Sequence, residues 1–182
     1  MQKMDIYGVS FDLVGKQPIV LLKTAEGNKF LPIWIGHPEA AAILMKLQGA
    51  TAPRPLTHDL LVNILGELDV EILRVTVTEL RENTFHASIT IAQNGNEVEI
   101  DSRSSDAIAV AVRAHVPIFA ADDVIDESAI EMEGEVDEEE IVDEFRSFLD
   151  RVSAEDFVEA EVEGPLEDDD EVDEADEEEE QD

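Results

Sequence analysis

Acidic residues are concentrated at one end of this chain of 182 residues, and that asymmetry limits where a folded core can form. Of the 46 aspartates and glutamates, 32 follow residue 120, together with only two of the 12 lysines and arginines. A salt-adapted protein carries its excess acid over the whole folded surface. The distribution therefore indicates one folded domain over residues 1–120, with a net charge of −4, followed by an acidic appendage of −30.

The appendage itself has three parts. Residues 121–137 are predicted to be an acidic linker. Apolar residues then recur at helical spacing and predict an amphipathic helical extension over residues 138–157; they are Ile141, Val142, Phe145, Phe148 and Leu149. Residues 158–182 offer too little apolar surface to offset chain entropy, so a disordered acidic tail is predicted there.

Within residues 1–120, the pattern of a β-hairpin followed by a helix occurs twice. Apolar strands at 19–22 and 30–35 precede a helix that begins near Pro38. A second hairpin, turning at Asn94-Gly95, precedes a helix that Ser104 or Ser105 is predicted to cap. We interpret this repetition as an internal duplication.

Two further strands and one helix complete the predicted domain. The strands lie near residues 6–13 and 73–77, and Thr57 is predicted to cap the helix. That helix carries an apolar stripe made of Leu60, Leu61, Ile64, Leu65 and Leu68. The predicted fold class is α+β, a single compact domain with a mixed sheet.

Composition excludes several classes of function. The chain has no cysteine, which excludes disulfides, cysteine-ligated metals and thiol catalysis. No segment approaches the roughly 18 uninterrupted apolar residues of a membrane span, and the first twelve residues do not resemble a signal peptide. We expect a soluble, cytoplasmic protein that does not bind membranes.

Polar residues of catalytic type cluster where the three helices are predicted to begin. The segments are 33–39, with His37 and Glu39, 54–59, with Arg54, His58 and Asp59, and 101–106, with Arg103, Ser105 and Asp106. The free N–H groups of a helix start, together with an arginine, suit a phosphate, and carboxylates suit a divalent metal.

A structural interpretation competes at each of these positions. Acids in a first helical turn, such as Glu39, Asp59 and Asp106, often complement the helix dipole. His58 can simply complete a helix cap. The single tryptophan, Trp34, has apolar neighbours and is expected in the core, the alternative being a platform for base stacking.

Three motifs in this order resemble those of the bifunctional nuclease domain family. They are Pro32-Ile33-Trp34-Ile35-Gly36 with Glu39-Ala40, then Arg54-Pro55-Leu56-Thr57-His58-Asp59-Leu60, then Asp101-Ser102-Arg103 with Ser105-Asp106-Ala107-Ile108-Ala109. The resemblance covers roughly residues 3–120, and the segment 138–157 is similar to the C-terminal extension of actinobacterial members. It implies an α+β domain that self-associates and, from plant members, a nuclease acting on RNA and DNA.

Two functions follow from the residues and the resemblance together. As a nuclease, the protein would hold Mg²⁺ or Mn²⁺ with three carboxylates, grip phosphates with two arginines and Ser105, and use His58 as general acid or base. The metal ligands would be Glu39, Asp59 and Asp106, which also count as catalytic, and the arginines would be Arg54 and Arg103.

The alternative is a non-enzymatic binding or regulatory module whose acidic tail recruits a basic protein. It is favoured by electrostatics, because a nucleic acid is a polyanion and the chain offers no basic face to attract it. Under either function a homodimer or higher homo-oligomer is expected, since the strand at 19–22 is apolar on both faces.

Overall fold

One mixed sheet of eight strands organises the computed structural model, which describes residues 1–11 and 17–131. The strands are β1 (Gln2–Phe11), β2 (Pro18–Thr24), β3 (Lys29–Trp34), β4 (Glu71–Arg81), β5 (Thr84–Gln93), β6 (Asn96–Arg103), β7 (Ile118–Ala120) and β8 (Ile130–Glu131). The helices are α1 (His37–Leu47), α2 (Thr57–Glu67), α3 (Ser104–Ala114) and α4 (Asp122–Ser128). This confirms the predicted α+β class.

The order of the strands supports the predicted duplication. It runs β6-β5-β4-β7-β1-β2-β3-β8, and every neighbouring pair is antiparallel except β4 and β7. Each half of the domain contributes three consecutive antiparallel strands followed by a helix: β1 to β3 with α1, and β4 to β6 with α3. The short strand β7 joins the two halves at the middle of the sheet.

Alanine-rich helices α1 and α3 form the buried layer against this sheet. Ala40, Ile43 and Leu44 of α1 are fully buried, as are Ile108 and Ala109 of α3. Small side chains let helix backbones approach closely, so the two helices pack against each other as well as on the strands. Their N-terminal ends are thereby fixed near each other at one edge of the core.

Helix α2 contrasts with α1 and α3, because none of its residues is fully buried. Of the predicted apolar stripe, only Leu65 packs partly against the core. Leu60, Leu61, Ile64 and Leu68 are exposed. The stripe at helical spacing is present, but this domain alone does not cover it.

Residues 122–131 differ from the predicted acidic linker, since they form α4 and β8. Val124 and Ile125 of α4 are buried, and β8 pairs with β3 at the edge of the sheet. The acids of this segment lie on its exposed side, so two apolar residues are enough to attach it to the domain. Residues 132–137, the extension at 138–157 and the tail at 158–182 lie outside the described residues.

None of the helices in the described part of the chain has the length and hydropathy needed to cross a lipid bilayer.

Candidate active site

The first turns of α1, α2 and α3 meet in one polar cluster. Each helix follows an extended residue, which lets the chain turn sharply into the helix; these residues are Gly36, Leu56 and Arg103. In the described part of the chain, neither N-cap residue, Gly36 of α1 or Arg103 of α3, makes a side-chain capping hydrogen bond. This differs from the cap predicted from Ser104 or Ser105, which instead lie inside the first turn of α3. The first turn of α3 therefore offers backbone N–H groups to a ligand.

Arg103 links the acids of two helix starts. Its Nε donates to Oδ2 of Asp106 at 2.6 Å, and its Nη2 lies 3.1 Å from Oδ1 of the same carboxylate. The same Nη2 lies 3.0 Å from Oε1 of Glu39. The Glu39 side chain is 17% exposed, whereas that of Arg103 is 67% exposed, so the guanidinium remains accessible to a ligand.

His58, from the start of α2, reaches the same carboxylate. Its Nε2 lies 3.0 Å from Oδ1 of Asp106, although 48 residues separate the two in sequence. Burial raises the pKa of Asp106, but hydrogen bonds from Arg103 and His58 outweigh burial and hold that pKa below its ordinary value. Asp106 is therefore a carboxylate that orients the imidazole of His58.

Asp59, adjacent to His58, does not join this cluster. Its Oδ1 accepts a hydrogen bond of 2.7 Å from Nε of Arg113, and its Oδ2 accepts one of 3.0 Å from the backbone N–H of Leu56. The carboxylate thus caps the start of α2, a role predicted for Thr57, and links α2 to α3 through its ion pair with Arg113. For Asp59 the structural interpretation is the one that the geometry favours.

The predicted metal ligands do not form one donor set. Glu39 and Asp106 share Arg103, whereas Asp59 is held by Arg113. Among the described residues, no group of three or more histidine, aspartate or glutamate side chains is placed to hold a metal ion. The residues present do not fit the predicted Mg²⁺ or Mn²⁺ site, because the three carboxylates are already paired with two different arginines.

The two remaining predicted phosphate ligands differ in position. Arg54 is exposed and makes no ion pair with the cluster in the described part of the chain. Ser105 lies in the first turn of α3, is largely buried and lines a groove beside the cluster. Ser105 and Arg103 therefore remain candidates for contact with phosphate, whereas Arg54 takes part in none of the described ion pairs of the cluster.

A groove of about 870 Å³ opens beside the cluster and exposes an aromatic residue that we expected in the core. Trp34 is 50% exposed, while its neighbours Ile33 and Ile35 are buried. Strand alternation explains the difference, since successive side chains point to opposite faces. Ile33 and Ile35, which suggested that Trp34 is buried, face the core themselves. In an alternating strand, the residue between them faces the opposite side.

Glycine at position 36 allows the carboxylate of Glu39 to fold back over the start of α1. A Cβ built at Gly36 would collide with Oε2 of Glu39. The backbone φ of Gly36 is −75°, which any residue adopts, so the requirement is for space and not for an unusual conformation.

Comparison with known proteins places this chain in a family. The sequence profile of the bifunctional nuclease domain matches residues 20–133, which extends through α4 and β8. An uncharacterized protein of Mycobacterium tuberculosis is 37% identical over 164 residues, which cover 86% of this chain and 98% of that protein.

Plant proteins are similar over about half of this chain. Bifunctional nuclease 1 of Oryza sativa subsp. indica is 28% identical over 103 residues, covering 54% of this chain and 31% of the rice protein. Bifunctional nuclease 1 of Arabidopsis thaliana is 27% identical over 105 residues, covering 56% of this chain and 32% of that protein. The family profile matches more than half of this chain, which therefore belongs to the bifunctional nuclease domain family.

Proposed function

We propose that the protein is a nuclease that cleaves phosphodiester bonds of RNA or DNA at the cluster of Glu39, His58, Arg103 and Asp106. The single observation that carries the proposal is the 3.0 Å contact of His58 with Asp106, beside an exposed arginine and the starts of three helices. A histidine oriented by a carboxylate is a common proton-transfer group. The plant relatives named as nucleases support the choice of substrate.

The substrate phosphate would lie at Arg103 and the start of α3. Glu39 and Asp106 hold the guanidinium from one side, which leaves its remaining N–H groups for a ligand. The open N–H groups of the first turn of α3 add partial positive charge. These contacts would neutralise charge that develops on the phosphate during cleavage.

His58 would move the proton. With Nε2–H donated to Asp106, the opposite ring nitrogen, Nδ1, carries the free electron pair. Nδ1 takes the proton of the attacking water or 2′-hydroxyl as its oxygen bonds to phosphorus. The bond from phosphorus to the leaving oxygen breaks, that oxygen receives a proton from solvent water, and Nδ1 later returns its own proton to solvent. We assign no step to a metal ion, since the described carboxylates provide no donor set for one.

The test is cleavage of 5′-labelled RNA and DNA oligonucleotides by the purified full-length protein. We expect His58→Ala and Asp106→Asn to lower the rate by about 10²- to 10⁴-fold. His115→Asn serves as the matched control, because His115 ends α3 at the far end from the cluster and asparagine tolerates its left-handed backbone. Parallel reactions with EDTA and with added Mg²⁺ or Mn²⁺ test metal assistance.

Two results would contradict the proposal. One is an absence of cleavage under all of these conditions, and the other is equal cleavage by wild type and His58→Ala. An absence of cleavage would favour the alternative, an oligomeric binding or regulatory module whose acidic tail recruits a basic partner. Equal cleavage by both proteins would place the reaction away from His58.

A further inference from the structure

The groove beside the cluster has an apolar wall built from three separate parts of the fold. Trp34 ends β3, Leu80 and Phe85 are cross-strand partners near the β4–β5 turn, and Ile130 belongs to β8. Trp34 and Ile130 are each about half exposed. Large apolar side chains left open in a groove are typical of a binding surface.

The β4–β5 turn holds this wall in place. Glu82 and Asn83 both have positive φ, 50° and 59°, as in the tight two-residue turns that match the twist of a hairpin. Leu80 and Phe85 are therefore fixed opposite each other on neighbouring strands. The turn therefore sets the position of the surface beside Trp34.

The other end of the groove is polar and belongs to the cluster. Glu39, Arg103, Ser104 and Ser105 line it, and the uncapped start of α3 faces the same space. A ligand that fills the groove would thus meet flat aromatic surface at one end and a phosphate-binding arrangement at the other. A nucleotide unit has that combination of a base and a phosphate.

Charge favours a single strand over a duplex. Duplex binding depends on many contacts between basic side chains and phosphates, and residues 1–120 have a net charge of −4. Stacking of an unpaired base on an aromatic ring requires no basic surface. Bases within a duplex are already stacked and paired, so they are not available to Trp34 and Phe85.

We propose that this groove binds single-stranded RNA or DNA, with an unpaired base stacked on Trp34 and Phe85 and a neighbouring phosphate at Arg103. The inference rests on the proposed cleavage at the cluster, for which it names the substrate class. Stacking would supply the affinity that the charge of the domain does not.

Trp34 is the only tryptophan, so its fluorescence reports on the groove directly. The probes are a fluorescein-labelled ten-nucleotide polythymidine and a ten-base-pair duplex, titrated in EDTA into the full chain. We expect saturable quenching of Trp34 by the single strand and at least fivefold weaker binding of the duplex by anisotropy.

Two substitutions separate stacking from simple apolar contact. Trp34→Leu should weaken single-strand binding by about 5- to 150-fold, the equivalent of about 1–3 kcal/mol per stacked base, whereas Trp34→Phe should retain most of the affinity. Thermal melts of both variants check that the fold is kept. Unchanged Trp34 emission at saturation, equal affinity of Trp34→Leu and wild type, or equally tight duplex binding would each overturn the proposal.

The same experiment distinguishes this inference from the nuclease proposal. Wild-type affinity of Trp34→Leu, with cleavage still dependent on His58, would refute the groove and leave the nuclease. If Trp34→Leu weakens binding but no protein cleaves the oligonucleotide, the proposal of single-strand binding in the groove stands and the nuclease proposal is refuted. Quenching of Trp34 by a peptide of residues 138–157 at lower concentration than by the oligonucleotide would assign the groove to the chain's own segment and overturn the proposal.

Discussion

Nε of Arg113 lies 2.7 Å from Oδ1 of Asp59. Because of this ion pair, Asp59, which was predicted to be catalytic, does not contact the polar cluster beside it. The Arg113 side chain is only 4% exposed. Its Nη1 donates to the carbonyl of Ala109 and its Nη2 to the carbonyl of Ala42, both at 3.0 Å. Arg113 therefore connects all three helices whose first turns form the candidate active site.

Replacing Arg113 by methionine should destabilise the protein by about 2–3 kcal/mol. Methionine keeps the apolar stem, but the substitution removes charged hydrogen bonds and leaves Asp59 without its cation. Urea unfolding of the full chain measures the loss. A change below about 0.5 kcal/mol would show that the three helices do not depend on this contact.

Asp59 should stabilise the fold at neutral pH but not in strong acid. Burial raises its pKa, but the backbone N–H of Leu56 and the guanidinium of Arg113 outweigh burial and lower that pKa below its ordinary value. The stabilisation is therefore fully present above the unfolded pKa of 3.8 and is lost as pH falls through the lower folded pKa.

The free energy of unfolding of wild type and Asp59→Asn, measured between about pH 7 and pH 2, tests this. We expect the difference in free energy of unfolding between wild type and Asp59→Asn to shrink below about pH 4. The difference between wild type and Asp106→Asn should shrink in the same direction. Because both proteins carry the same acidic tail, the tail cancels in the comparison. A difference in free energy of unfolding that is the same at every pH would contradict the lowered pKa of Asp59.

Gly36→Ala should impair cleavage with little effect on stability. The added Cβ collides with the end of the flexible Glu39 side chain, so the carboxylate moves away and Arg103 loses one of its two acidic partners. We expect a ten- to hundredfold slower rate, shared by Glu39→Gln, and a stability change below about 1 kcal/mol.

Gly66→Ala is the matched control for this substitution, because a Cβ at Gly66 would meet nothing within 4 Å. Equal rates for Gly36→Ala and wild type would show that the position of the Glu39 carboxylate does not matter for cleavage.

The exposed apolar face of α2 and β6 should form the contact between subunits. Six large side chains on it are between 40% and 63% exposed; they are Leu60, Leu61, Ile64, Leu68, Val98 and Ile100. Leu61 and Ile100 line one cleft together with His58 and Asp106, so the two elements present a continuous surface that borders the candidate active site. Burial of such a surface drives association.

Light scattering of Ile64→Glu should report a smaller species than wild type, whereas Asn63→Glu, which adds the same charge to the same helix, should not. A monomeric wild type at micromolar concentration would refute the predicted homo-oligomer.

Deleting residues 159–182, which contain 16 acidic residues, should tighten nucleic-acid binding or speed cleavage, most strongly at low salt. A polyanion tethered to the domain competes with nucleic acid, and salt screens this competition over a Debye length of about 8 Å at physiological ionic strength. Equal affinity and rate for both proteins across a salt series would leave solubility or partner recruitment as the role of the tail.

Much of the fold could be predicted from local patterns in the sequence. The strand alternation at residues 19–22 and 30–35, the turn at Asn94-Gly95 and the helix beginning near Pro38 depend on neighbours in sequence, which fix backbone conformation. The residue types of the site were also visible, because Glu39, His58, Arg103 and Asp106 follow extended segments that turn into helices.

The partners of those side chains could not be predicted in the same way. Asp59 and Asp106 occupy equivalent positions in their first helical turns, yet one meets Arg113 and the other His58 and Arg103. The sequence around Asp59 and the sequence around Asp106 both predict an acid in a first helical turn. Neither indicates which cationic side chain the acid pairs with.

The sequence alone determined the fold class and the repeated hairpin and helix, because these depend on local periodicity. The tertiary structure decided which polar residues form one site, that α2 leaves its stripe exposed, and that Trp34 opens onto a groove. Those outcomes depend on packing between elements that lie tens of residues apart, since His58 and Asp106 meet only when α2 and α3 pack together.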